Sequence, residues 1–119
     1  MQQELLERLS DMGAEVEDTI ERLMSDEKLY IEYVLKFPKN QNIIELQKAV
    51  EAKDAEKALK EVHTLKGVAL NLGFLPLIDV CMDMVLELRA GREEEAFAMT
   101  EEVVSCFREL SDVILEYQE

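Results

Sequence analysis

Apolar residues recur at three- and four-residue spacing along almost the whole of this chain, and only four glycines and two prolines punctuate them. That period belongs to an amphipathic helix, whereas half-buried strands need strict alternation, so each stretch predicts a helix with one buried stripe. Abundant Leu, Glu, Lys, Ala and Met favour the same backbone. The expectation is an all-α chain, and 119 residues are the size of one compact domain.

Breakers and caps place the elements. Leu5, Leu6 and Leu9 mark a short helix over residues 2–10 that stops near Gly13. Val16, Ile20, Leu23 and Met24 mark a second stretch, and Ser25-Asp26-Glu27 supplies the N-cap and acidic first turn of a third. This third helix carries Leu29, Tyr30, Tyr33, Val34 and Phe37, and it ends by Phe37 because Pro38 disfavours αR in the residue before it. Asn40 is the expected cap of a short helix bearing Ile43, Ile44, Leu46, Ala49 and Val50. Asp54 caps a longer one running to Leu72, with Gly73 as its stop. Pro76 suits the first turn of the next, which carries Leu77, Val80, Cys81, Met84, Val85 and Leu88 to Ala90-Gly91. Glu93-Glu94-Glu95 opens a final helix, expected to run unbroken through Phe97, Thr100, Val103, Val104, Phe107, Leu110, Ile114 and Tyr117 for about 40 Å. The simplest packing is an antiparallel four-helix bundle with short connections, capped by one or two short N-terminal helices. Residues 1–119 then form a single domain, with 1–13 as a capping helix and 14–118 as the core.

Charge and cysteine usage narrow the function. Asp and Glu number 27 against 13 Lys and Arg, a formal charge of −14 that repels nucleic-acid backbones. No stretch approaches the roughly 18 to 20 apolar residues of a membrane span, and the opening Met1-Gln2-Gln3-Glu4 lacks the basic start of a signal peptide. A cytoplasmic protein without membrane association is expected. Cys81 and Cys106 form no CxxC and fall within helical stretches, so both are expected reduced, in or near the core. A carboxylate-bridged metal bundle needs Glu-x-x-His pairs, and the only histidine, His63, has Lys60 at that offset, so no metal or other cofactor is expected. No exposed heptad seam calls for oligomerisation, and a monomer is expected.

One constellation carries chemistry. At roughly 100° per residue, Ala55, Ala58, Val62, Leu65, Ala69 and Leu72 cluster on one face of the long helix, which is the face expected to be buried. His63 lies about 120° from the centre of that face and points outward. Lys60 and Lys66 lie one turn to either side of it, and Gly67, next to Lys66, one turn C-terminal of it. A helical glycine costs about 1 kcal/mol relative to alanine, and core packing asks for none on an outward face. Gly67 therefore reads as clearance that lets a partner reach the imidazole. Neutral imidazole is a nucleophile at pH 7, and Lys66 is placed to offset charge on a phosphoryl group held there. Lys60 is a second candidate for that field; five of the 13 basic residues lie between Lys48 and Lys66. Asn71 falls on the same general face, and Leu59 and Leu70, at i−4 and i+7 from His63, suit either partner contact or packing at the edge of the core.

The run His63-Thr64-Leu65-Lys66-Gly67, followed by Asn71-Leu72-Gly73 and then Leu77 and Cys81, resembles the signature of histidine-containing phosphotransfer (HPt) domains of two-component phosphorelays. The form is His-x-Leu-Lys-Gly with a glycine ten residues after the histidine, and the resemblance extends over about residues 14–118. It implies a four-helix bundle whose surface histidine takes a phosphoryl group from an aspartate of one receiver domain and returns it to another, with Nε2 as the phosphorylated atom. It also implies a carrier with no ATP site of its own, and no GxxxxGK[ST] occurs. The Mg²⁺ and the acidic pocket are expected on the receiver, which belongs to a response regulator or a hybrid sensor histidine kinase. The chemotaxis-kinase form of the domain carries a second histidine in the next helix; here that region reads Cys81-Met82-Asp83-Met84, which favours a stand-alone protein, with a module of a hybrid kinase as the other possibility. The rival function is a helical adaptor or inhibitor that binds a signalling protein and performs no chemistry.

Overall fold

The structure, a computed structural model, describes residues 2–118. The helices are α1 (Gln2–Asp11), α2 (Val16–Arg22), α3 (Glu27–Lys36), α4 (Asn42–Glu51), α5 (Ala55–Leu72), α6 (Leu75–Arg89), α7 (Glu93–Ala98) and α8 (Thr100–Leu115), with a 3-10 turn at Phe37–Lys39. The antiparallel bundle consists of α4, α5, α6 and the α7–α8 arm, with α5 packed between α4 and α6. Three N-terminal helices precede it, more than the one or two expected: α1 lies on α8, while α2 and α3 lie against α5. Among the described residues no helix is long and apolar enough to cross a membrane.

Local chemistry explains most boundaries. Asp26 Oδ1 accepts from Leu29 N at 3.0 Å and Asp54 Oδ1 from Lys57 N at 3.1 Å, each filling an orphan donor of a first turn. Asn40 sits one residue too early to be the N-cap of α4, which is Gln41, but its side chain accepts from Asn42 N at 2.8 Å and does the same service. α2 ends before Met24, which adopts φ 59° and is 93% exposed, so Met24 leaves the apolar stripe. Tyr33 and Ile44, also expected on buried stripes, are exposed, and Ala55 is half-buried.

The final helix is not continuous. Met99 N donates to Ala96 O at 3.0 Å, a tightened turn of i to i−3 type, and the helix resumes when Val103 N donates to Met99 O. The turn lets α7 follow α6 while α8 also reaches α1, α4 and the 3-10 turn. Thr100, placed in the expected stripe, is half-buried at that bend, and Tyr117 lies beyond the end of α8.

The bundle and the N-terminal helices join at the C-terminus of α5. Gly73 adopts φ 71° there, and its carbonyl accepts from Glu15 N at 2.7 Å. Tyr30, fully buried, donates its hydroxyl to Leu72 O at 2.8 Å, and burial raises its pKa. Phe37 packs edge-on to Phe74, ring centroids 5.0 Å apart, and lies 4.6 Å from the ring centre of Phe107. Gly73 is doubly constrained, because a Cβ would stand 2.2 Å from Thr19 Oγ1 and 2.9 Å from Glu15 O. Gly91 shares the left-handed backbone, at φ 76°, but has nothing within 4 Å of such a Cβ. In urea denaturation Gly91→Ala should cost about 1 kcal/mol, the left-handed penalty alone, and Gly73→Ala more than about 3 kcal/mol.

Candidate functional site

α5 is an 18-residue helix fixed at both ends, by the Asp54 cap and by the left-handed Gly73. It buries Ala58, Val62, Leu65, Ala69 and Leu72, and these set its rotation. His63 is consequently exposed, midway along the helix. Lys60 and Asn71 are exposed as well, Leu70 is 44% exposed, and Lys66, Gly67 and Leu59 are half-buried, with Leu59 packed against the core. A Cβ on Gly67 would meet nothing within 4 Å, so no neighbouring atom requires a glycine there. Of the residues singled out in the sequence, His63, Lys66, Gly67 and Leu70 are neighbours at i, i+3, i+4 and i+7 on α5, with Gly67 and Lys60 close to the pole opposite the buried face.

Electrostatics sharpen the basic cluster. Lys57 and Lys48 both bind Glu45, each at 3.3 Å, and these contacts, that of Lys57 foremost, lower the Glu45 pKa. Two of the five lysines between residues 48 and 66 are thus engaged on the α4 side. Among the described residues Lys60 and Lys66 make no ion pair, which leaves them as the cations beside His63. Burial pushes the Cys81 thiol up to about 12, with Cys106 raising it further and the nearby Lys66 ammonium opposing. No group of three His, Cys, Asp or Glu side chains among the described residues could hold a metal ion.

The family model for the Hpt domain matches residues 40–115. The chain belongs to the Hpt domain family. The match runs from the entry of α4 to the last residue of α8, so it covers the four-helix bundle and leaves α1–α3 outside, whereas the resemblance in the sequence was read from residue 14. Neither the curated proteins nor the solved structures compared with the chain give a match. Hpt domains are phosphocarrier modules that work with receiver domains of two-component systems. In this Hpt domain the bundle presents its single histidine on a helix face rather than in a cleft: His63 lines neither of the two open cavities at the C-terminal end of α5.

Sequence reasoning missed Glu61, the one charged side chain buried among the described residues, at 8% exposure. Its Oε1 accepts from Asn42 Nδ2 at 2.8 Å and ties α5 to the first turn of α4. The signal was its position four residues before Leu65, at the edge of the buried face. The reading also passed over Met82 and Leu86, exposed on α6 at i and i+4 outside that helix's apolar stripe.

Both cysteines are free, Cys81 buried and Cys106 half-buried, and Cys106 is pushed up to about 11, by burial first and then by Glu109 and Glu102. Only thiolate reacts with disulfide reagents, so at pH 8 the native protein should label slowly, Cys106 ahead of Cys81. Urea-unfolded protein should label at both within the mixing time, which a thiol titration with mass readout checks.

Proposed function

We propose that this chain carries a phosphoryl group between aspartates of receiver domains as phosphohistidine at His63. The observation that carries the reading is the exposed His63 beside Gly67, a glycine that neither packing nor backbone conformation demands. In the proposed step a lone pair on the imidazole, Nε2 by the resemblance, attacks the phosphorus of the aspartyl phosphate in line. The P–N bond forms as the P–O bond breaks, the aspartate leaves as carboxylate, and the imidazolium gives its proton to water. Lys66 offsets charge on the equatorial oxygens, and Lys60 adds to the same field. Mg²⁺ and the acidic pocket belong to the receiver, so this chain contributes a nucleophile on a rigid helix and no ATP chemistry of its own.

Membership of the Hpt domain family and a Lys66 that makes no ion pair among the described residues favour this reading over a silent adaptor that binds a signalling protein without chemistry. The proposed setting is a monomer in the cytoplasm, serving a response regulator or a hybrid sensor kinase.

Incubation with phosphorylated receiver domains and Mg²⁺ should place acid-labile, alkali-stable label on the wild-type chain and none on His63→Gln. A folded wild-type chain that takes no label from any receiver would favour the adaptor. Lys66→Ala should lower the acceptance rate with circular dichroism unchanged. Gly67→Ala should raise stability by about 1 kcal/mol, because it removes the helical glycine penalty. Gly67→Leu should keep the fold and slow transfer, and an unaltered transfer rate would remove the clearance argument.

A further inference from the structure

Three helices enclose a cavity of about 440 Å³ at the C-terminal end of α5, a volume within the range of small-molecule sites. Arg22 and Leu23 at the end of α2, Tyr33 of α3, and Val68, Asn71 and Leu72 of α5 supply its walls. Leu72 is buried and Leu23 and Val68 are half-buried, so the lining offers apolar surface. Tyr33 belongs by spacing to the apolar stripe of α3, yet it is 42% exposed where it borders this space. The turn between the walls is strained, because Met24 and Ser25 adopt φ of 59° and 62°, left-handed values that residues with a Cβ rarely take in succession. That turn sets Leu23 against the cavity and Met24 in solvent, and backbone strain of this kind collects at ligand clamps.

The polar groups of the cavity are few and free. The chain has 27 acidic residues, and none of the described ones lines this cavity, whose one charged group is Arg22. Arg22 Nη2 donates to Thr19 Oγ1 at 3.1 Å and to Leu70 O at 3.4 Å, which anchors the guanidinium at the wall. Among the described residues its Nε and Nη1 donate to no protein acceptor and no carboxylate pairs with it, although Glu15, Asp18 and Glu21 line the neighbouring cavity that it also borders. The Asn71 amide and the Tyr33 hydroxyl have no protein hydrogen-bond partner among the described residues either.

We propose that this cavity binds a small organic monocarboxylate with an aromatic body. The ring lies against Leu23, Val68 and Tyr33, the carboxylate takes the free donors of Arg22, and Asn71 supplies a hydrogen bond at the rim. A guanidinium fork matches a carboxylate with two parallel hydrogen bonds. A phosphate ester would bring a second negative charge into a chain of net charge −14 whose cavity holds no second cation, so the carboxylate is the anion that fits. The bound molecule bridges α2 and α3, which the family match leaves outside, to the helix that bears His63, where Val68 follows Gly67 in the chain. The proposal is independent of the chemistry at His63.

The test titrates the full chain, labelled for amide chemical-shift mapping, with indoleacetate and with its neutral isostere indoleacetamide. Indoleacetate should saturate with a midpoint of about 1 mM or below, the scale a ligand of this size reaches at ordinary efficiency. It should shift the amides of Leu23, Tyr33, Val68 and Asn71 and leave that of Gly91, beyond the far end of α6, in place. Indoleacetamide should bind about tenfold more weakly. Arg22→Gln should bring the two midpoints together, and Arg22→Lys should restore part of the preference for the acid. Val68→Trp, which fills the cavity and keeps Arg22, should abolish saturation by both probes with circular dichroism unchanged. Equal midpoints for acid and amide on the wild-type chain overturn the proposal, as do shifts that map outside the cavity or fail to saturate by about 10 mM. Acetate that gives the same shifts with the same midpoint also overturns it, because a bare anion site needs no apolar wall.

Discussion

The close approach at Gly73 is the constraint on which the rest of the molecule hangs. Its left-handed backbone ends α5, starts the turn into α6 and leaves room for Glu15 N to reach its carbonyl at 2.7 Å. One residue earlier, the Leu72 carbonyl, an orphan acceptor at the end of α5, receives the buried Tyr30 hydroxyl. Backbone groups that an isolated helix would turn to solvent therefore bind the N-terminal helices to the bundle. The Phe37, Phe74 and Phe107 contacts join the 3-10 turn after α3, the residue that caps α6, and α8.

The rotation of α5 follows from these attachments. With Ala58, Val62, Leu65 and Ala69 buried, and α4 held by the Asn42–Glu61 hydrogen bond, His63 has no orientation open to it except outward. The proposed nucleophile, His63, stands on a helix whose ends are capped and whose neighbours are packed, so its position owes nothing to a loop. An exposed face of this kind excludes no water, which agrees with a phosphocarrier module that lacks a catalytic site of its own.

Most of this was legible in the sequence because helices in a bundle obey a local period and local caps. The boundaries of α5 and α6, the Asp26 and Asp54 caps, and the exposure of His63 all follow from spacing and from single residues. Features set by contacts between distant segments escaped it. Met99 sits in a helical pattern, and the tightened turn there reflects what α7 and α8 each pack against. Tyr33 and Ile44 fit the period of their helices but are only partly covered by neighbours, and Met24 falls past the end of α2 in a left-handed turn. Gly73 was readable as a helix stop, whereas the approach of Thr19 and Glu15 that forbids any side chain there was not. Near the site, the Glu45 contacts that engage Lys48 and Lys57 depend on how α4 lies against α5, so the basic cluster seemed broader in the sequence than it is in space.

The docking of α1 on α8 has a consequence for synthesis. Leu5, Leu6 and Leu9 are buried, and α1 lies on α8, where Arg8 pairs with Glu116. During synthesis α1 thus waits for α8, made after all the intervening helices, before its apolar face can be fully covered. At about 5–20 residues per second the interval is on the order of 5–20 s. Throughout it the nascent chain carries a leucine-lined helix open to chaperones and to neighbouring chains on the same polysome.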